Sequence, residues 1–413
     1  MPLLLRCDEL QPRMRLRDAI VAQGHTILPA GKELTQADVD ALRQRFAGLV
    51  VRVHDPVLDD AFEFEDDTHD RTVAQHAQQR VVQVMTNVSE RFLSRSSLAE
   101  VNFAAMQASL SEVIDYLRAN PVSTALLARG FSSKTYLTDR AGNLFYLSML
   151  LGSAIRDRVR AERERMRQPC ASTPATDINL LPLGLGAMFI DVGMYALQEL
   201  FRGDRPLSRP ERQTLREHPR TGAKMLPDDL PPLVRMVVQT HHENLDGSGY
   251  PEKLSGEAVH LFARIVRIAD AFDAATAQRV YREAVSPVRA LWQMTKGIYR
   301  RHYDPVLMKV FARLIQPFPI GARLRLQDGR YVIVVKYNRR NPFLPTVVVA
   351  FGADGERLPS HQLIGPLELD QHCDLRLASY AGEDLSYLYD TSFFEALAPV
   401  RGDFATLYEA AFP

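Results

Sequence analysis

The stretch "HHENLDGSGYP", residues 241–251, sets two imidazoles and two carboxylates against a turn bracketed by glycines and closed by Tyr-Pro. The preceding "PPLVRMVVQTHH", 231–242, reads as a helix opened by prolines, so His241 and His242 sit where that helix ends. Successive helical residues point about 100° apart, and both rings can reach one pocket only at such an end. Gly247 and Gly249 then let the backbone turn back over the pair. Two histidines alone hold a metal poorly, so further ligands have to come from elsewhere in the chain.

Candidates exist on three other predicted helices. In "LLPLGLGAMFIDVGMYAL", 180–197, the one charge among eighteen residues is Asp191. A lone carboxylate in such surroundings is costly unless it is paired, protonated, metal-bound or at a helix end that reaches water. Asp270 lies mid-helix in "HLFARIVRIADAFDAATAQRVYRE" on a largely apolar stripe, with Val266 and Ala274 one turn away on either side. His218 follows "LSRPERQTLRE", a helix capped by Ser208 with Pro210 in its first turn. Taken singly, each is an ordinary surface or structural residue. Together, Asp191, His218, His241, His242 and Asp270 are imidazole and hard-oxygen ligands suited to Mn, Fe, Zn or Ni, and their carboxylates can bridge two ions.

Around this centre the chain divides by texture. Residues 1–56 read as a small α/β cap, with a helix "TQADVDALRQRF" capped by Thr35 and a strand "GLVVRVHDP". Residues 57–119 are an acidic loop followed by two amphipathic helices, 71–93 and 100–120. Residues 120–316 read as helices joined by polar loops, of which 165–179 is the longest. From 317 to 371 apolar and polar residues alternate around Asp328-Gly329 and Asp354-Gly355, the pattern of a small antiparallel sheet. A mixed tail occupies 372–413. The predicted fold class is therefore mainly α, a helical bundle with an N-terminal α/β cap and a C-terminal antiparallel β module.

Composition bounds the function classes. Lys+Arg and Asp+Glu balance at 50 each, so no global field recruits a nucleic-acid polymer or an anionic membrane. Cys7, Cys170 and Cys373 are scattered and form neither a disulfide framework nor a CxxC zinc site. Charges follow the first four apolar residues at once, and no run of about 18 uncharged apolar residues occurs. A cytoplasmic protein with two or three domains is expected.

"HHENLDGSGYP" together with "ARIVRIADAFDAATAQRVYR" resembles the HD-GYP domain, the HD-superfamily subgroup whose active members hydrolyse cyclic di-GMP. The frame from "YLTDRAGNLFYLSML" through "AMFIDVGM" and "LSRPERQTLREHPRTGAKML" to "DPVLMKVF" fits as well, covering roughly 120–315. The resemblance implies an HD-type bundle, a metal-dependent phosphodiesterase site and a role in bacterial cyclic di-GMP signal transduction. It also exposes departures. Active members read His-Asp-x-Gly-Lys where this chain has Ile190-Asp191-Val192-Gly193-Met194. The family's first ligand histidine aligns with Arg140, and the lysine that assists proton transfer with Met194. One metal position thus keeps Asp191 and Asp270 alone, while the other keeps Asp191, His218, His241 and His242, so at most one divalent metal (Mn, Fe, Ni or Zn) per chain is expected. Arg140 is expected to ion-pair with Asp191 or Asp270 in place of the missing ion.

For ligand binding the resemblance points to Arg279 and Arg282, with the aspartate before the first replaced by Gln278. Tyr250 either stacks on a guanine or belongs to a protein-facing turn. Three roles stay open: a degenerate regulator that binds cyclic di-GMP or a related guanine nucleotide or docks a protein through the GYP loop; a working hydrolase giving pGpG or GMP, with Asp191 in its catalytic centre; and a structural spacer.

Overall fold

The computed structural model describes residues 2–22, 25–46, 49–55, 136–166, 179–201, 207–277, 284–338 and 341–390, with a few isolated positions between 58 and 111. The helices predicted at 71–93 and 100–120, the loop residues 167–178, and Gln278, Arg279 and Arg282 lie outside the described residues. The chain forms two compact units, one of residues 67–315 and 395–413, the other of residues 1–66 and 316–394.

Among its described residues the first unit is helical. Helix α2 (Tyr136–Met166) is the longest, and α3 (Leu181–Phe189) is buried from Pro182 to Phe189. A 3-10 segment, Val192–Phe201, follows, then α4 (Arg209–Leu215), α5 (His218–Met225), α6 (Pro232–Thr240), α7 (Leu261–Thr276), α8 (Pro287–Lys296) and α9 (Pro305–Leu314). Six of these helices carry proline in their first turn, where a missing N–H costs nothing and the fixed φ suits the helix. Helix α4 is capped at Ser208 as expected, and Glu211 completes a capping box. Helix α7 places Phe262, Ile265, Val266, Ala269 and Phe272 inward at helical spacing, and this stripe carries Asp270 into the interior.

The second unit is built from strands. Its N-terminal part holds a three-stranded antiparallel sheet of β1 (Pro2–Arg6), β5 (Val50–His54) and β2 (Arg15–Leu16), and the hairpin of β3 (Ile20–Ala22) and β4 (His25–Leu28). Helix α1 (Gln36–Arg45) starts at Thr35, as its sequence predicts. Residues 323–384 form a six-stranded antiparallel sheet in the order β11-β10-β6-β7-β8-β9, with β6 Arg323–Leu326, β7 Tyr331–Lys336, β8 Thr346–Phe351, β9 Ile364–Glu368, β10 Leu377–Tyr380 and β11 Glu383–Asp384. The two segments share one core: Leu3, Leu5, Leu16, Val39, Leu42 and Val53 are clustered with Ile333, Val335, Val348 and Ala350. That packing accounts for β8, whose every residue is buried. Among the described residues no helix is long and apolar enough to cross a membrane.

Candidate metal centre

Each histidine is positioned by a short backbone device. His218 opens α5, and its Nδ1 lies 2.8 Å from the carbonyl of Leu215. His241 caps the C-terminus of α6, with Nδ1 2.8 Å from the carbonyl of Val238. A carbonyl only accepts, so both Nδ1 atoms carry the proton and both Nε2 atoms present a lone pair. These two Nε2 atoms face each other at 3.2 Å in a buried setting. Facing lone pairs at that distance repel unless a cation lies between them. Two imidazole nitrogens bound to one ion at about 2.0–2.1 Å each sit roughly 3 Å apart, which is the separation seen. His242 completes the group: donor atoms of His218, His241 and His242 all lie within 4.8 Å of one another.

Asp191 reaches this cluster because the backbone after it has no side chain. A Cβ on Gly193 would meet the carbonyl oxygen of His218 at 2.1 Å and the amide of Gly222 at 2.7 Å. The close approach brings Asp191 Oδ1 to 3.8 Å from His218 Nε2. Asp270 Oδ2 stands 3.5 Å from His242 Nδ1. The five predicted ligand residues therefore converge.

Between the two carboxylates lies Arg140, on α2 and buried. Its Nε donates to Asp191 at 2.5 Å, one terminal nitrogen to Asp270, and the other to Asp273 at 2.9 Å. Asn143 donates to the second oxygen of Asp273 at 2.8 Å. One planar fork thus binds three carboxylates from two elements, geometry that a lysine point charge cannot reproduce. Ile190 is fully buried and Met194 half-buried, and neither side chain carries a proton to transfer.

The charges follow from this arrangement. Burial pushes the Asp191 carboxyl up, but Arg140 and the imidazoles of His218 and His241 outweigh it and leave it below its ordinary range. Asp270 behaves alike and falls further, since Arg140, His242 and Arg267 all oppose its burial. For Asp273 burial wins over Arg140, and its carboxyl is raised. Burial, reinforced by His218, lowers His241 to about 4, and burial with His241 lowers His242 well below the usual imidazole range.

A pH dependence results. Above about pH 6.5 these two imidazoles are neutral in folded and unfolded chains alike; below it the unfolded chain takes up protons that the folded site refuses. Stability of the metal-free protein is therefore expected to fall as pH drops from 6.5 to 4, by up to about 1.4 kcal/mol per pH unit for each histidine. Denaturant midpoints of chelator-treated protein at pH 7.5, 6 and 5 check this, and a midpoint that holds or rises counts against it.

The GYP turn is held by a residue that the sequence reading passed over. Buried Glu243 accepts from the amides of Glu252 at 2.6 Å, Lys253 at 3.1 Å and Leu254 at 3.0 Å, clamping the chain beyond Pro251. Gly249 fits because any Cβ there would strike the amide of Asn244 at 2.4 Å. The ring of Tyr250 lies 4.7 Å from that of His242. Arg267 donates to Asn244 Oδ1 at 2.9 Å and lies 3.7 Å from Asp270. Asp273, Asn143 and Arg267 were likewise missed. Asp273 shares a helix face with Asp270 three residues away, the one signal that was available.

Histidines and aspartates drawn from separate helices meet at one buried centre that could hold a metal ion, and the HD domain family matches residues 148–307. The chain is 34% identical over 173 residues to a cyclic di-GMP phosphodiesterase of Pseudomonas aeruginosa, covering 41% of each chain. It is 42% identical over 125 residues to the cyclic di-GMP phosphodiesterase response regulator RpfG of Xanthomonas campestris, covering 29% of each. It is also 31% identical over 144 residues to a 3'3'-cGAMP-specific phosphodiesterase of Vibrio cholerae, covering 33% of this chain and 27% of that one. The match thus spans less than half the length of each of these relatives. Residues 148–307 thus match an HD domain, and those likenesses, with the "HHENLDGSGYP" turn in place, support an HD-GYP family protein.

Proposed function

We propose that this protein is a degenerate HD-GYP domain, an HD-type helical bundle that binds cyclic di-GMP or a related guanine nucleotide in the cytoplasm and turns it over slowly or not at all. The observation that carries the reading is Arg140, whose guanidinium joins Asp191, Asp270 and Asp273 where the resemblance calls for a metal ion. On this reading one ion position is filled by a side-chain cation, and one remains.

His218, His241 and His242, with Asp191 beside them, would hold a single divalent ion of the Mn, Fe, Ni or Zn kind. When bound, such an ion would polarise a phosphoryl oxygen and lower the pKa of a bound water towards about 7. The chain's own residues then decide how far hydrolysis goes. Asp191 is ionised, but one oxygen is committed to Arg140, which weakens it as a base. Met194 has no proton to give the leaving oxygen. Losing one ion and a general acid removes several kcal/mol of transition-state stabilisation, at about 1.4 kcal/mol per tenfold in rate. Binding does not need those terms, so a ligand-sensing role survives where catalysis fades. The GYP turn, with Asp246, Ser248, Glu252 and Lys253 exposed, is the surface through which a protein partner would read the site.

A second reading, a working phosphodiesterase, is favoured by the intact three-histidine cluster. The two separate in one assay: purified protein, Mn(II) or Fe(II) supplied anaerobically, cyclic di-GMP, and products resolved by chromatography alongside a binding measurement. Binding with turnover at least about a hundredfold below that of intact family members is expected. A comparable rate that is lost in His241→Ala would overturn the proposal in favour of the second reading.

A further inference from the structure

The cations around the centre are almost all committed. Arg140 serves three carboxylates, and Arg267 binds Asn244 and Asp270 with its guanidinium 5.3 Å from the Tyr303 ring centroid. Arg220 is held by Glu217 and Glu252. Arg216 differs. It caps the C-terminus of α4, two residues before His218, and its side chain is exposed. Among the described residues its guanidinium makes no ion pair or side-chain hydrogen bond; its contact is with the ring of Tyr250, 5.2 Å from guanidinium carbon to centroid. The same ring lies 4.7 Å from His242, whose own ring lies 5.1 Å from that of His218.

This places a planar cation with unspent donors at the mouth of the three-histidine cluster. Contact with an aromatic ring orients a guanidinium and limits its rotamers without consuming its N–H groups. Such a fork suits the non-bridging oxygens of a phosphate, which it can take two at a time.

We propose that Arg216 is the phosphate-binding arm of this site, steadied by Tyr250 and contacting the phosphodiester of a nucleotide seated at His218, His241 and His242. The proposal rests on the nucleotide reading above and adds a residue to it. Arg216 acts on binding, because its exposed guanidinium makes no ion pair among the described residues and lies against the Tyr250 ring.

The test is calorimetric binding of cyclic di-GMP to the full chain loaded with Mn(II), comparing the parent with Arg216→Ala and Arg216→Lys. A charge-assisted hydrogen bond of this kind corresponds to a loss of about tenfold or more in affinity for the alanine variant. Lysine should recover part of it, while metal content and unfolding midpoint stay at parental values. An alanine variant within twofold of the parent overturns the proposal. If the parent binds no cyclic di-GMP, the nucleotide reading fails and Arg216 is judged on inorganic phosphate instead. Phosphate binding that Arg216→Ala weakens supports the phosphate arm; equal affinity in both proteins, or binding in neither, removes it.

Discussion

Arg140→Ala is expected to lower the stability of the helical unit by about 3–5 kcal/mol, the scale seen when one partner of a buried charge network is removed. The cause is not the lost bonds alone. Asp191, Asp270 and Asp273 would be left close together with one nearby guanidinium, that of Arg267, against three carboxylates. Like charges that close are not all ionised cheaply, so the variant should bind a proton or a cation that the parent does not. Arg140→Lys should restore little, since an ammonium cannot span three acceptors with fixed donors. Excess Mn(II) should rescue part of the loss in Arg140→Ala, because an ion can enter where the guanidinium lay. Denaturant unfolding at pH 7.5 with and without Mn(II) reads both effects. A loss under about 1 kcal/mol, the level of an exposed ion pair, would mean that these carboxylates reach water and that Arg140 replaces nothing.

The second large effect runs the other way. Rebuilding the motif with Arg140→His, Ile190→His and Met194→Lys is expected to add a second metal per chain and to raise cyclic di-GMP turnover by about a hundredfold or more. Two imidazoles would return a ligand set around Asp191 and Asp270, and the lysine would return a proton donor. Ile190 borders a small void lined by Ala141, Leu144, Met188, Asp191, Val192 and Tyr195, so a change of side-chain shape there meets some slack. Metal analysis and single-turnover chromatography of the triple variant check this. A folded triple variant that binds two ions and hydrolyses no faster than the parent would contradict the assignment of these three positions to the catalytic deficit.

Much of this site was legible before the fold was known. Asp191, His218, the histidine pair and Asp270 stood out as the polar residues of apolar or capped helices, and the partner of Arg140 could be argued from the charge a missing ion leaves behind. Two helix starts were readable as well, because Pro210 and Pro232 mark first turns. What the sequence did not disclose were relations across space. Asp273 looked like one more helical acid, and its role as third acceptor of Arg140 depends on how α2 lies on α7. Glu243 sat in full view within the motif, yet its function is to satisfy three amides some ten residues on. The run "TVVVAF" read only as part of an alternating antiparallel module; its burial on both faces depends on β1, β5 and α1, which supply part of the cover.

The central claim is that a guanidinium has taken one metal position while the three histidines keep the other. Metal content tests it most directly. Protein loaded with excess Mn(II), freed of unbound ion and analysed by inductively coupled plasma mass spectrometry should carry one ion per chain, and His241→Ala should carry close to none. Two ions per chain in the parent protein would contradict the claim.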